Sequence, residues 1–178
     1  MLQYVLLVDL ERCCGCYACE VACKQENSLA AGVSWIRVIK YGPVQVNGKL
    51  SMNFVPMRCR HCARPSCIDA CSVNAITKRS DGIVLINEEL CTGCKVCIEV
   101  CQFGGLQFNP GKNVVEACTM CVNRVDKGLL PACVRACPSR AMYFGDINEI
   151  IELRRKEQAA TVASSIHTDD LEIGLDLR

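Results

Sequence analysis

The sequence predicts an α+β fold: two small cysteine-lined modules, a short β insertion and a C-terminal helix with a tail. Three observations predict it. Sixteen of the seventeen cysteines fall into four groups of four. The order cysteine loop, short helix, β pair, cysteine loop, short helix runs through the middle of the chain. Between the first two groups, Asn47-Gly48 separates two β-rich stretches, a strong hairpin signal.

The elements follow in chain order. Tyr4 to Leu10 is rich in β-formers and reads as the first strand. Cys13 to Cys19 reads as a loop, with Gly15 permitting its tight turn. Ala18 to Glu26 can close as a short helix. Trp35 to Tyr41 alternates like a strand and, with Val44–Val46 and Leu50–Phe54, makes a β insertion at 35–55. Asp81-Gly82 and the strand Ile83 to Ile86 separate the second and third groups. Ala141 to Gly145 is strand-like and closes the outer module. Asp146 or Asn148 caps a helix through about Ala160. Residues 1–160 therefore read as one domain. Module A joins 1–34 with 110–147, and module B spans 56–109. The polar, acidic stretch 161–178 reads as a disordered tail by default, or as an arm that docks on a partner.

The spacing of the cysteines carries the chemistry. Group one is Cys13-x2-Cys16-x2-Cys19-x3-Cys23, and group three is Cys91-x2-Cys94-x2-Cys97-x3-Cys101. Group two is Cys59-x2-Cys62-x4-Cys67-x3-Cys71, and group four is Cys118-x2-Cys121-x11-Cys133-x3-Cys137, followed by Pro138. Four thiolates hold one cubane, so sixteen can hold four 4Fe–4S clusters. The repeat is that of two-cluster ferredoxins, so the fold is read as two ferredoxin-like two-cluster modules. Group four taken alone could also be a four-cysteine zinc site. Groups one and three do not suit zinc, because three cysteines at successive x2 steps overcrowd a tetrahedral ion. An odd cysteine count, tight C-x-x-C steps and an opening MLQYVLLVDL without signal-peptide features argue against a disulfide scaffold and for a cytoplasmic setting.

The hydrophobic fraction of 51% counts cysteine; without it the share falls to ~41%, low for a globular core. Clusters that fill the interior account for the deficit, and a chain without them is expected to be unfolded or molten. The formal charge of +1 omits the clusters, each of which brings roughly −2 with its thiolates. Lys24, Arg58, Arg60, Arg64, Lys95, Arg135 and Arg140 flank the cysteine groups. Each reads first as solvated surface charge, and second as a residue that raises a cluster potential or faces a partner. No long basic run supports nucleic-acid binding. No stretch is long and apolar enough to span a membrane. Cys14, the odd cysteine, reads as a spare small residue before it reads as a substitute ligand. His61 reads as packing or a hydrogen bond to sulfur, ahead of a proton-coupled role. Trp35 reads as core or interface. No nucleophile–base pair, phosphate loop or carboxylate dyad has supporting context, so no catalytic residue is assigned.

Three stretches carry a family resemblance: VDLERCCGCYACEVACKQEN, RCRHCARPSCIDAC and CTMCVNRVDKGLLPACVRACPSRAMYFGD. Together they resemble the iron–sulfur electron-transfer subunits of bis-pterin molybdenum and tungsten oxidoreductases, of the dimethyl sulfoxide and polysulfide reductase and formate dehydrogenase type. The resemblance runs from about Tyr4 to Ile147. It implies four 4Fe–4S clusters with crossed ligation. Cluster 1 would be held by Cys13, Cys16, Cys19 and Cys137; cluster 2 by Cys59, Cys62, Cys67 and Cys101. Cluster 3 would be held by Cys91, Cys94, Cys97 and Cys71; cluster 4 by Cys118, Cys121, Cys133 and Cys23. Ser72 and Gln102 stand where many relatives have proline, so the turns and potentials at those sites are expected to differ, and no ligand is lost.

The short chain, with QYVLLVDLERC and ACKQENSLAAGVSWIRV, is similar to small iron–sulfur subunits of tungsten aldehyde oxidoreductases. The resemblance implies a subunit that is no enzyme by itself. It would pass electrons between a tungsten- or molybdenum-pterin catalytic subunit and a flavin, quinone or soluble-carrier partner, with self-association left open. Some such subunits are exported bound to a partner that carries the signal. The competing reading is a free-standing polyferredoxin that shuttles between enzymes.

Overall fold

The computed structural model describes residues 2–169. Its elements are β1 (Tyr4–Val8), α1 (Ala18–Glu26), β2 (Ile36–Val46), β3 (Lys49–Arg58), α2 (Ser66–Asp69), β4 (Ile76–Lys78) and β5 (Val84–Ile86). They continue with α3 (Val96–Glu99), β6 (Leu106–Asn109), β7 (Val114–Ala117), α4 (Val122–Val125), α5 (Ala132–Arg135), β8 (Met142–Asp146) and α6 (Ile147–Asp169). The result is α+β, with four two-stranded antiparallel sheets alternating with short helices. Tandem ferredoxin-like modules have this form.

β1 pairs with β8 from Tyr4↔Asp146 to Val8↔Met142. The start of the chain is thereby closed against the segment that follows group four. Leu6 and Met142 face the core from this pair, while Leu7 faces out, as period-two alternation requires. β2 and β3 form the expected hairpin, and its turn residues Asn47 and Gly48 are both left-handed (φ 50 and 77), as a tight two-residue turn demands. Ile36 and Val38 bury its base, whereas Tyr41, Val46 and Leu50 at its far end are exposed. The register brings Arg58 opposite Ile36, deep in the molecule.

The β6–β7 hairpin has no counterpart among the sequence expectations. Its strands are only four residues each, and its turn is stabilised by Asn109, whose Oδ1 accepts the Gly111 and Lys112 amides at 3.0 and 3.3 Å. The boundary expected between modules, at 109/110, falls inside that turn.

α6 also differs from expectation. It continues through Asp169, past the end read near Ala160. Nothing in its sequence stops it, since Ile147 to Asp169 contains neither Gly nor Pro. Ion pairs Arg154–Glu157 (2.7 Å) and Arg155–Glu152 (2.5 Å) support its exposed side. Asp146, rather than Asn148, caps it: Asp146 Oδ1 accepts the Asn148 amide at 2.9 Å. The rest of the expected tail, 170–178, lies outside the described residues.

Two apolar clusters form the core. One joins β1, α1, the base of β2 and α5, around Ile83 and Met120; the other joins β4, β5, β6 and β7. Trp35 packs against both and donates its indole N–H to Glu116 at 3.1 Å. Further links cross the same seam. The Ser34 amide donates to Gln107 at 2.6 Å, and Arg79 makes two bonds to Asp126, at 3.0 and 2.8 Å.

Candidate metal centres

The four cysteine loops share one backbone feature. The residue before the second cysteine of each group is left-handed: Gly15 (φ 66), His61 (φ 48), Gly93 (φ 70) and Met120 (φ 52). Such a reversal turns successive amides toward one concave side, which suits an anion. At two of the four positions a side chain bears the steric cost that glycine avoids.

A second shared feature follows the fourth cysteine. Asn74, Gly104 and Arg140, three residues on from Cys71, Cys101 and Cys137, are also left-handed. Each turn delivers the next amide to sulfur: Ala75, Gly105 and Ala141 donate to Cys71, Cys101 and Cys137 Sγ, all at 3.3 Å. Group one departs from this pattern because α1 does not stop after Cys23. The Asn27 amide is occupied by the Cys23 carbonyl at 3.1 Å. Its side chain takes over, with Nδ2 3.6 Å from Cys23 Sγ.

The fold gathers cysteines across groups. Cys13, Cys16, Cys19 and Cys137 line one cavity, with Cys14 at its rim. Cys23, Cys118, Cys121 and Cys133 line a second. Cys71, Cys91, Cys94 and Cys97 line a third. Cys59, Cys67 and Cys101 are mutual electrostatic neighbours, and Cys62 neighbours Cys67. The four gatherings succeed one another in space. Cys19 neighbours Cys23, Cys118 neighbours Cys59, and Cys67 neighbours Cys97. Cys16 and Cys94 are exposed at the two ends of this succession, and Cys23, Cys118, Cys121 and Cys133 are all buried within it.

No disulfide joins any of the seventeen cysteines. Burial pushes Cys19 and Cys97 up to about 11 and Cys23 and Cys59 up to about 12, each reinforced by neighbouring thiols. Burial likewise raises Cys118, Cys121 and Cys133. Crowded, desolvated thiols cannot ionise together without a cation, which makes these sites fit for iron. Cys137 differs: burial raises it, but hydrogen bonds from Ser139, Ala141 and Met142 outweigh that and carry it below the ordinary thiol value. Among the described residues, no three potential ligands converge closely enough for a single metal ion. Thiolates at the corners of a cubane stand farther apart than thiolates that share one ion.

The other singled-out residues fall as follows. Cys14 is exposed. His61 is buried, and its Nδ1 accepts the Val84 amide at 3.0 Å. Its proton therefore sits on Nε2, for which the structure shows no partner. Burial, with Arg58 and Lys78 nearby, lowers its pKa to about 3, so the ring is neutral. Lys95 lies over the Phe108 ring at 3.9 Å, and Arg60 over Phe103 at 5.5 Å. Arg58 contradicts the reading of solvated charge, being only 4% exposed. Sequence reasoning also passed over Lys78, which donates to the Cys62 and Ala63 carbonyls at 2.8 and 2.9 Å and so pins the group-two loop. It passed over Asn27 as well. A signal for Asn27 existed: it stands four residues after the fourth cysteine, where the other groups place Ala75, Gly105 and Ala141.

No helix among the described residues is long and apolar enough to cross a membrane. Comparison with known proteins gives the family. Residues 50–147 match the 4Fe-4S dicluster domain, and residues 10–31 match a 4Fe-4S binding domain. The sequence is 37% identical to a B-type component of the anaerobic dimethyl sulfoxide reductase of Escherichia coli K12, over 83% of this protein and 76% of that one. It is 39% identical to a B-type component of the tetrathionate reductase of Archaeoglobus fulgidus, over 90% of this protein and 75% of that one. With four cysteine groups whose loops come together across the fold, and relatives of this identity over most of its length, the protein belongs to the family of ferredoxin-like 4Fe–4S electron-transfer subunits found in dimethyl sulfoxide and tetrathionate reductases.

Proposed function

We propose that the protein carries four 4Fe–4S clusters on its sixteen grouped cysteines, in the crossed sets given above, and conducts electrons for a separate catalytic subunit. The observation that carries this reading is the gathering of three cysteines from one group with the fourth from another. When bound, such clusters supply one-electron exchange, each accepting the electron its neighbour gives up, with no atom transferred. The protein's part is to space the sites, aim amides at sulfur and exclude water from the middle of the row. The sites run in the order 1, 4, 2, 3. The loops at Cys16 and Cys94, exposed at either end, are the proposed points of entry and exit.

The proposed donor or acceptor at one end is a tungsten- or molybdenum-pterin subunit, with an aldehyde oxidoreductase as the leading assignment on the resemblance of QYVLLVDLERC and ACKQENSLAAGVSWIRV to the small subunits of such enzymes. The names of the relatives support a reductase of dimethyl sulfoxide or tetrathionate as the alternative within the same scheme. A flavin, quinone or soluble-carrier partner is proposed at the other end. The proposed location is the cytoplasm, and fractionation tests it against export in complex with a partner.

The first experiment is anaerobic isolation of the protein with whatever binds it, followed by iron, tungsten and molybdenum analysis. About sixteen irons per chain is the expected content. Tungsten or molybdenum in the same stable complex identifies the partner class. Sixteen irons in a protein that migrates alone, with neither metal, would replace this reading by that of a polyferredoxin shuttle.

A further inference from the structure

Arg58 is a buried cation whose role the relay leaves unexplained. It closes β3, immediately before Cys59, and is 4% exposed. Its Nη1 donates to the Cys59 carbonyl at 2.7 Å, and its Nη2 donates to the Leu6 carbonyl. Neither acceptor is a carboxylate. Its Nε is buried, and the structure shows no partner for it. The same side chain lines the cavity formed by Cys23, Cys118, Cys121 and Cys133.

Burying a guanidinium is strongly unfavourable unless an anion offsets it. Among the described residues no ion pair to Arg58 is found, so the offset must come from elsewhere in its surroundings. A cubane held by four thiolates is such an anion. Arginine keeps its charge under all ordinary conditions.

The site itself needs a cation. All four of its cysteines are buried, whereas the end sites include exposed Cys16 and Cys94. Reduction adds negative charge. Deep burial without a counter-charge makes that unfavourable, so cluster 4 on burial alone would be the hardest of the four to reduce and would block the row.

We propose that Arg58 is the built-in counter-charge of the Cys23–Cys118–Cys121–Cys133 site, raising that cluster's reduction potential so that electrons can pass it. Arg58 is a positioning and tuning residue in this scheme; it ligates nothing. The inference rests on the four-cluster reading, and the test separates the two.

Iron content and EPR of the unaltered anaerobic protein come first; fewer than four clusters overturns the relay reading itself. With four clusters present, EPR-monitored redox titration is run on Arg58→Gln and Arg58→Lys. Arg58→Gln is expected to lower the midpoint potential of one cluster, the one whose signal Cys23→Ser abolishes. The other three are expected to stay close to their starting values, and Arg58→Lys to recover most of the shift. Four intact clusters with unchanged potentials in Arg58→Gln overturn the proposal. Should both variants fail to assemble clusters, pulsed EPR of the unaltered protein carrying guanidino-15N arginine decides. A labelled nitrogen coupled to the reduced cluster whose signal Cys23→Ser abolishes supports the proposal, and no such coupling at that cluster refutes it.

Discussion

Cys23 accepts a side-chain hydrogen bond where its three counterparts accept backbone amides, and the difference has consequences for the proposed cluster 4. Removing the Asn27 amide group leaves Cys23 Sγ without its donor, while the thiols of Cys71, Cys101 and Cys137 keep theirs. Hydrogen bonds to a thiolate favour the more negative, reduced state. Asn27→Leu is therefore expected to lower the potential of cluster 4 alone, read by redox titration, with a stability loss of about 1 kcal/mol from the bonds removed. Ligation itself is tested by Cys23→Ser. The expected loss is the cluster shared with Cys118, Cys121 and Cys133. Selective loss of the signal that belongs to Cys13, Cys16 and Cys19, seen by EPR or Mössbauer spectroscopy, would show that the ligands do not cross.

At the scale of elements, close backbone approach decides what the loops tolerate. Gly105 lies directly against the start of group two: a Cβ there would stand 2.5 Å from Cys59 Cα. No flexible side chain can yield, because the obstacle is main chain. Gly105→Ala is expected to force apart Cys59 and Cys101, two proposed ligands of one cluster, and to cost about four irons per chain. α6 poses a separate question of capping. Asp146 holds the Asn148 amide through one carboxylate oxygen and the Gln3 amide through the other, joining the helix to the first strand. Asp146→Ala is expected to destabilise the protein by about 1 kcal/mol, visible as a lowered Tm without change in iron content.

For the whole molecule, cysteine takes up much of what would otherwise be apolar core. Cysteines occupy many positions in both apolar clusters, and the two are stitched together by Trp35, Gln107 and Arg79 rather than by a broad apolar interface. Removal of iron by a chelator under anaerobic conditions is expected to abolish near-UV circular dichroism and expose the chain to protease. The direction with pH follows from the raised thiols. Burial holds protons on Cys19, Cys23 and Cys59 up to about 11, 12 and 12, so iron binding must displace them. Protons compete better as pH falls. Resistance to a chelator is therefore expected to rise between about pH 6 and about pH 9, measured as the rate of loss of the cluster absorbance.

Much of this was legible in the residues themselves. Cysteine spacing is a local property, set by how a short loop wraps a compact core, so the sixteen ligand candidates stand out without a structure. The β2–β3 hairpin was legible for the same reason, because Asn47-Gly48 is a turn that few other geometries use. The β6–β7 hairpin was not, since its strands are short and its turn depends on the Asn109 side chain reaching forward. The full length of α6 was hidden by a polar composition that neither caps nor breaks a helix. Arg58 was misread because a basic residue beside cysteines looks the same in sequence whether it faces water or a cavity. Only the pairing of β2 with β3 carries it inward, and only the packing of group four against group two surrounds it with thiols. Local spacing thus determined the chemistry of this protein. The tertiary structure decided which thiols meet, in what order these gatherings follow and that Arg58 lies buried among them, because those depend on contacts between segments far apart in the chain.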